Sequence, residues 1–171
     1  MSSSTRRAIP RFDTPIVETH CHLDYLADEA LESALHAAAD VGIERIVTIA
    51  VSAENLDTVQ RIATHHDQVW CTQGIHPHEA DSWSHELSAR ITESSSNPKV
   101  VAIGEIGLDY HYDHADRHAQ AAAFDAQLDI ASEAGLPVVI HTREADEDTR
   151  AILANHSQTL SNKGVIHSFT S

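Results

Sequence analysis

The sequence predicts an α/β fold in which parallel strands, each followed by a helix, curl into a barrel. Three observations carry this. Short, continuously apolar runs alternate with amphipathic helical stretches, the signature of a parallel sheet covered by helices. About six such runs and five intervening helices can be counted, with no block repeated at fixed period. Almost every run ends in a histidine or a glutamate. The first two observations fit a six-stranded open sheet as well as the first three quarters of an eight-stranded barrel. Both folds gather ligands at the carboxyl ends of strands, but a barrel brings several strand ends around one mouth. The third observation therefore favours the barrel.

In chain order, residues 1–14 read as a flexible, polar N-terminal tail, and residues 15–171 as a single domain without an internal linker. Ile16 and Val17 open a first strand that ends near His20 and His22. Leu31, Leu35, Ala38 and Val41 recur at helical spacing, and Gly42 fits the stop of that helix. Residues 46–51 form a second apolar run, followed by Leu56, Val59 and Ile62 on one helical face. A third strand lies near 69–74, then the loop GIHPHEADSW and a helix carrying Leu87 and Ile91. The fourth strand, KVVAIGE, spans 99–105 and is followed by the loop IGLDYHYDHAD. A long helix with Phe124, Leu128 and Ala131 on one face closes at Gly135. PVVIH at 137–141 is a strand, 144–155 a helix, and GVIH at 164–167 the start of a sixth strand.

A chain of 171 residues with 42% hydrophobic content can bury a sizeable core as one domain. Its net charge of -15, from 26 acidic against 11 basic residues, excludes a protein that grips nucleic acid by a broad basic face. A substrate phosphate met locally by metal ions remains compatible with it. The opening MSSSTRRAIPRFDTP has no apolar core of signal-peptide length, and no stretch approaches a membrane span, so the expectation is a cytoplasmic protein. Two cysteines are too few for a disulfide framework, and Cys21 reads as a small buried thiol on the strand face opposite its flanking histidines.

The strand-end residues are His20 and His22, His76 just past the third strand, Glu105, His141 and His167. His20 and His22, two apart on a strand, point to one side and can close on one ion, or they are polar residues of a strand–loop junction. Neutral imidazole and carboxylate oxygen are ligands of zinc and similar first-row divalent ions. Glu105 ends an apolar strand between two glycines, where burial without a cation would be costly. Its two oxygens could bridge ions held by His20/His22 on one side and His141/His167 on the other. His36, His65, His66, His85 and His156 fall on helices or polar stretches and read as surface residues.

The segments IVETHCHLD, GIHPHEA, GEIGLDY, PVVIHTREA and GVIHSFTS together resemble the successive signatures of the TatD family of metal-dependent deoxyribonucleases, within the amidohydrolase-like barrel enzymes. The resemblance runs from Ile16 to the C-terminus. It implies a TIM (β/α)₈ barrel whose two divalent metal ions (zinc, magnesium or manganese) hydrolyse DNA phosphodiester bonds from a 3′ end, with RNA as a further substrate. His20 and His22 then match the first-metal histidines, Glu105 the catalytic bridging carboxylate, and His141 and His167 the second-metal histidines. His76 and Arg143 match positions that contact substrate phosphate. The competing readings are a barrel hydrolase for ester or amide bonds, such as aminoacyl-tRNA deacylation, and an inactive truncated metal-binding protein.

Glu18 stands where the family usually has aspartate, Ser168 where it often has cysteine, and Ser171 where it usually has glycine. A barrel of this class takes about 250 residues, so the expectation is a barrel truncated after about the sixth strand, as a fragment of a longer enzyme. The family's ETD motif, whose aspartate completes the first metal site, lies beyond it. The His20/His22 side is therefore expected to be the weaker metal position and hydrolysis to be greatly reduced.

Overall fold

The computed structural model describes residues 9–112 and 114–169. Among these, six strands form one sheet in the order β1 to β6, every neighbouring pair parallel: β1 (Ile16–Cys21), β2 (Ile43–Thr48), β3 (Val69–Gln73), β4 (Val100–Asp109), β5 (Val138–Arg143) and β6 (Val165–Ile166). The helices between them are α1 (Asp28–Asp40), α2 (Leu56–His65), α3 (His85–Ser94), α4 (Arg117–Ala134) and α5 (Asp146–Asn155). Of the predicted tail, residues 1–8 lie outside the described residues, while the Phe12 N–H donates to the Val41 carbonyl at 2.9 Å.

The sheet is curled. In a flat sheet the first and sixth strands would lie roughly 24 Å apart, at ~4.8 Å between neighbours. Here the ring of His20, on β1, stacks on that of His167, directly after β6, with centroids 3.4 Å apart and planes within 9°. His20 also reaches Glu105 on β4. Strand ends that are distant along the sheet therefore converge on one mouth, as the strand-end histidines predict.

Helical periodicity correctly identifies the inward faces. Leu31 and Leu35 of α1, Leu56, Val59 and Ile62 of α2, Leu87 and Ile91 of α3, and Phe124, Leu128 and Ala131 of α4 are all buried. Gly135 ends α4 in the left-handed conformation, at φ 66°.

The largest differences from expectation lie at three boundaries, each for a local reason. β2 starts at Ile43, because pairing of Ile16 with Ile43 begins the ladder directly after Gly42. It ends at Thr48, since the Ala50 N–H turns to the Thr72 hydroxyl at 3.0 Å. β4 runs on past Glu105 to Asp109, pairing Gly107 with His141 and Asp109 with Arg143. The expected loop after Glu105 is thus largely strand, and a Cβ at Gly107 would collide with the His141 carbonyl. The GIHPHEADSW loop contains a 3₁₀ helix, Pro77–Ser82.

Two glutamines of α4 tie the site-bearing segments to the core. Gln127 Oε1 accepts from the Ile75 N–H at 2.7 Å, and its Nε2 donates to the carbonyls of Ile75 and Ala123. Gln120 treats Asp109 in the same way, accepting from its N–H at 2.8 Å and donating to its carbonyl at 3.1 Å. Both glutamines are fully buried. Gln127→Met is expected to leave both Ile75 backbone groups without partners and to cost about 2–4 kcal/mol in urea unfolding.

His156 corrects one reading. It is not a surface residue but is buried at the end of α5, with Nε2 at 2.8 Å from Asp125 and Nδ1 at 3.5 Å from Asp129. Both acids lie on α4, so the ring clamps one helix to the other. His36, His65 and His85 are exposed as expected, and His66 is partly buried beside Glu32.

Candidate metal centre

Glu105 is the centre of the mouth. It is 4% exposed, held by the β4 backbone, with its N–H donating to the Ala50 carbonyl at 2.8 Å. Its two oxygens face different histidines. Oε2 lies 3.4 Å from His20 Nε2, and Oε1 lies 3.3 Å from His141 Nδ1. Burial alone would raise its pKa, but hydrogen bonds from His141 and His20, with the charge of nearby imidazoles, hold it well below the usual carboxylate range. Glu105 is therefore an anion near neutral pH in a nearly dry site, and it calls for positive charge.

Two sets of possible ligand atoms converge there, each within 4.8 Å of one another: His20, Glu105 and His167, and His76, Glu105 and His141. The structure brings together His20, His76, Glu105, His141 and His167, five of the six strand-end residues singled out by the sequence, but it pairs them differently. His167 joins His20 instead of His141, because the curl of the sheet seats the end of β6 against the end of β1. His22, just past β1, meets His20 edge-on at 5.4 Å between centroids and lies outside both sets. Its Nδ1 is buried and, among the described residues, has no hydrogen-bond partner. A buried imidazole nitrogen without a partner beside this cluster fits a cation that would take its lone pair. Glu18 accepts from the His20 backbone N–H at 3.0 Å and is exposed.

His141 is held from both sides. Its Nδ1 faces Glu105, and its Nε2 donates to Asp109 Oδ2 at 3.0 Å. Burial lowers its pKa, but the two carboxylates outweigh that and raise it. Once a cation takes the Nδ1 lone pair, Nε2–H still donates to Asp109, so the ring needs no reorientation. His76 differs. Burial, opposed by Glu105 and reinforced by His141 and His78, pushes its pKa down to about 3, so it is neutral near pH 7. Its Nδ1 accepts from the His78 N–H at 3.2 Å, which places the ring proton on Nε2 and makes that nitrogen a donor. A neutral donor suits a phosphate oxygen better than a metal ion.

Asp109 is the residue that sequence reasoning missed. Fully buried, it accepts His78 Nε2–H at 2.8 Å and His141 Nε2–H on Oδ2, and the N–H groups of His111 and Tyr112 at 3.0 and 3.1 Å on Oδ1. A signal existed: once β4 continues, Glu105, Gly107 and Asp109 share one face by alternation. Burial raises its pKa, yet these four donors bring it down to about 2 from 3.8. A depressed carboxylate stabilises the fold above its unfolded pKa and loses that contribution as pH falls through the folded value. For this shift the contribution is about 2 kcal/mol, complete above about pH 5 and largely gone near pH 2. Urea unfolding of metal-free protein is expected to show the gap between wild type and Asp109→Asn narrowing over that range.

Arg143 ends β5 on the exposed rim, its guanidinium 4.7 Å from the centroid of the Tyr112 ring. Cys21 donates to the Val47 carbonyl at 3.6 Å, and burial with Glu18 and Asp24 nearby pushes its thiol up to about 12. No helix among the described residues is long and apolar enough to cross a membrane.

Comparison with known proteins identifies the family. A family model described as TatD related DNase matches residues 17–171. An uncharacterized metal-dependent hydrolase, YabD of Bacillus subtilis (strain 168), is 35% identical over 156 residues, covering 91% of this chain and 61% of the relative. A protein named 3'-5' ssDNA/RNA exonuclease TatD from Enterobacter lignolyticus (strain SCF1) is 37% identical over 129 residues, 75% of this chain and 49% of the relative. Among solved structures, the TatD homolog YJJV of Escherichia coli k12 superposes with a TM-score of 0.83 at 32% identity, over 91% of this chain and 60% of that one. A TatD family hydrolase of Entamoeba histolytica shares the fold, with a TM-score of 0.77 at 21% identity. The chain thus spans about half to three fifths of the length of the relatives it matches. Family model, relatives and fold agree: the chain belongs to the TatD family of metal-dependent hydrolases.

Proposed function

We propose that this chain carries the catalytic centre of a divalent-metal-dependent nuclease that removes nucleotides from the 3′ end of single-stranded DNA, and of RNA, through two ions sharing Glu105. The observation that carries this reading is the placement of Glu105: a buried carboxylate whose two oxygens face His20 and His141 from opposite sides. Relatives from Enterobacter and Erwinia named 3'-5' ssDNA/RNA exonuclease support the substrate class.

In this reading His20, His22 and His167 with Glu105 would hold one ion, and His141 with Glu105 the other. Bound there, ions would supply positive charge to a phosphoryl oxygen and would make water acidic enough to ionise near neutral pH. The side chains do the rest. Glu105 stays ionised and fixes the separation of the two histidine groups. Asp109 keeps His141 Nε2–H engaged, so that Nδ1 faces Glu105. His76, neutral with its proton on Nε2, donates to a phosphate oxygen, and Arg143 at the rim neutralises a second phosphate. Charge is thus matched locally, and a protein of net charge -15 need not be basic overall.

The test is incubation with 5′- and 3′-labelled single-stranded oligonucleotides in magnesium or manganese. A ladder shortening from the 3′ end, abolished by EDTA, is expected. Intact DNA in the presence of bound metal, both with this chain and with one extended through the last two strands of the barrel, would contradict the reading.

A further inference from the structure

A strip of rings leads from the candidate metal centre to the exposed rim. His76 lies 4.5 Å from His141 and 4.4 Å from His78, centroid to centroid. His78 in turn lies 4.6 Å from His114 and 5.6 Å from Tyr112. Tyr112 and His114 are near-parallel, at 22° and 5.7 Å, and the Arg143 guanidinium lies over the Tyr112 ring. Tyr112 is 50% exposed, one of nine large hydrophobic side chains left open to solvent among the described residues. Its position is nevertheless set by the centre, because its backbone N–H donates to Asp109, the carboxylate that also holds His141 and His78.

We propose that Tyr112, with His114, His78 and Arg143, is a stacking subsite for an unpaired nucleobase of the substrate strand. The inference rests on the nucleic-acid reading above and adds to it the means by which the strand is held. Three arguments support it. Every base has a π-face, and aromatic and guanidinium planes bind it without regard to sequence. With a net charge of -15, the protein cannot draw a strand in by a broad basic surface, whereas stacking does not depend on net charge. Finally, the strip is continuous with the centre, so a base seated on Tyr112 holds its neighbouring phosphate near His76 and Glu105.

The test measures fluorescence anisotropy of a cleavage-resistant phosphorothioate oligothymidylate, and of the same strand with abasic sites at its 3′-terminal positions. Both are titrated with wild type, Tyr112→Ala and Tyr112→Phe in magnesium. Tyr112→Ala is expected to weaken binding of the base-bearing strand by about 5- to 100-fold. It is expected to leave the weaker binding of the abasic strand unchanged, and Tyr112→Phe to retain most of the wild-type affinity. Wild type binding both strands equally, or Tyr112→Ala binding oligothymidylate as wild type does, overturns the inference alone. Wild type binding neither strand overturns the nucleic-acid reading and the inference together. The two failures are therefore distinguishable.

Discussion

Glu105→Gln is expected to weaken divalent-metal binding by more than about 100-fold and to abolish hydrolysis. The basis is that losing even a supporting partner of a metal ligand costs about 10- to 100-fold, and Glu105 faces both histidine groups at once. Glutamine keeps the length and one acceptor oxygen, so the fold should survive, as circular dichroism would show. What disappears is the negative charge between His20 and His141. Calorimetric titration with zinc or manganese measures the effect directly. Wild-type affinity in the variant would mean that Glu105 is not a ligand.

Asp109→Asn has the second largest expected effect, a loss of about 10- to 100-fold in metal affinity. It arises without removing any ligand. Asp109 accepts protons from both His141 and His78 on one oxygen. An asparagine amide turned one way offers a neutral acceptor, and turned the other way presents an N–H against two ring N–H groups. Either way the hold on His141 is weakened. Asp109→Glu should not rescue, because the side chain is fully buried and a longer one would carry its carboxylate away from the four donors. Because the raised pKa of His141 stems from Glu105 and Asp109 together, metal binding to wild type should also release a proton from that ring. Calorimetry in buffers of different ionisation enthalpy would register the release.

Much of this was legible in the sequence, for reasons that can be named. Apolar runs and helical faces identify β1 to β6 and α1 to α5, because burial imposes periodicity. The strand-end pattern identifies His20, Glu105, His141 and His167 as neighbours, because only a curled sheet brings such ends together. Their grouping was not legible. That His167 meets His20 depends on how tightly the sheet curls, which no local pattern encodes. Asp109 was hidden because GLDY reads as a loop, when pairing with β5 carries the strand four residues further. Gln120 and Gln127 look like solvent-facing residues of a long helix. They share the face of Phe124 and Ala131, however, and a polar residue on an apolar face was the available hint.

Histidine-selective ¹⁵N NMR during zinc titration tests most directly whether Glu105 joins two histidine groups into one metal centre. The predicted result is that the ring signals of His20, His22, His141 and His167 shift together, and that Glu105→Gln abolishes the shifts. Zinc that perturbs only exposed rings such as His36, His65 and His85, leaving those four unchanged, would contradict it.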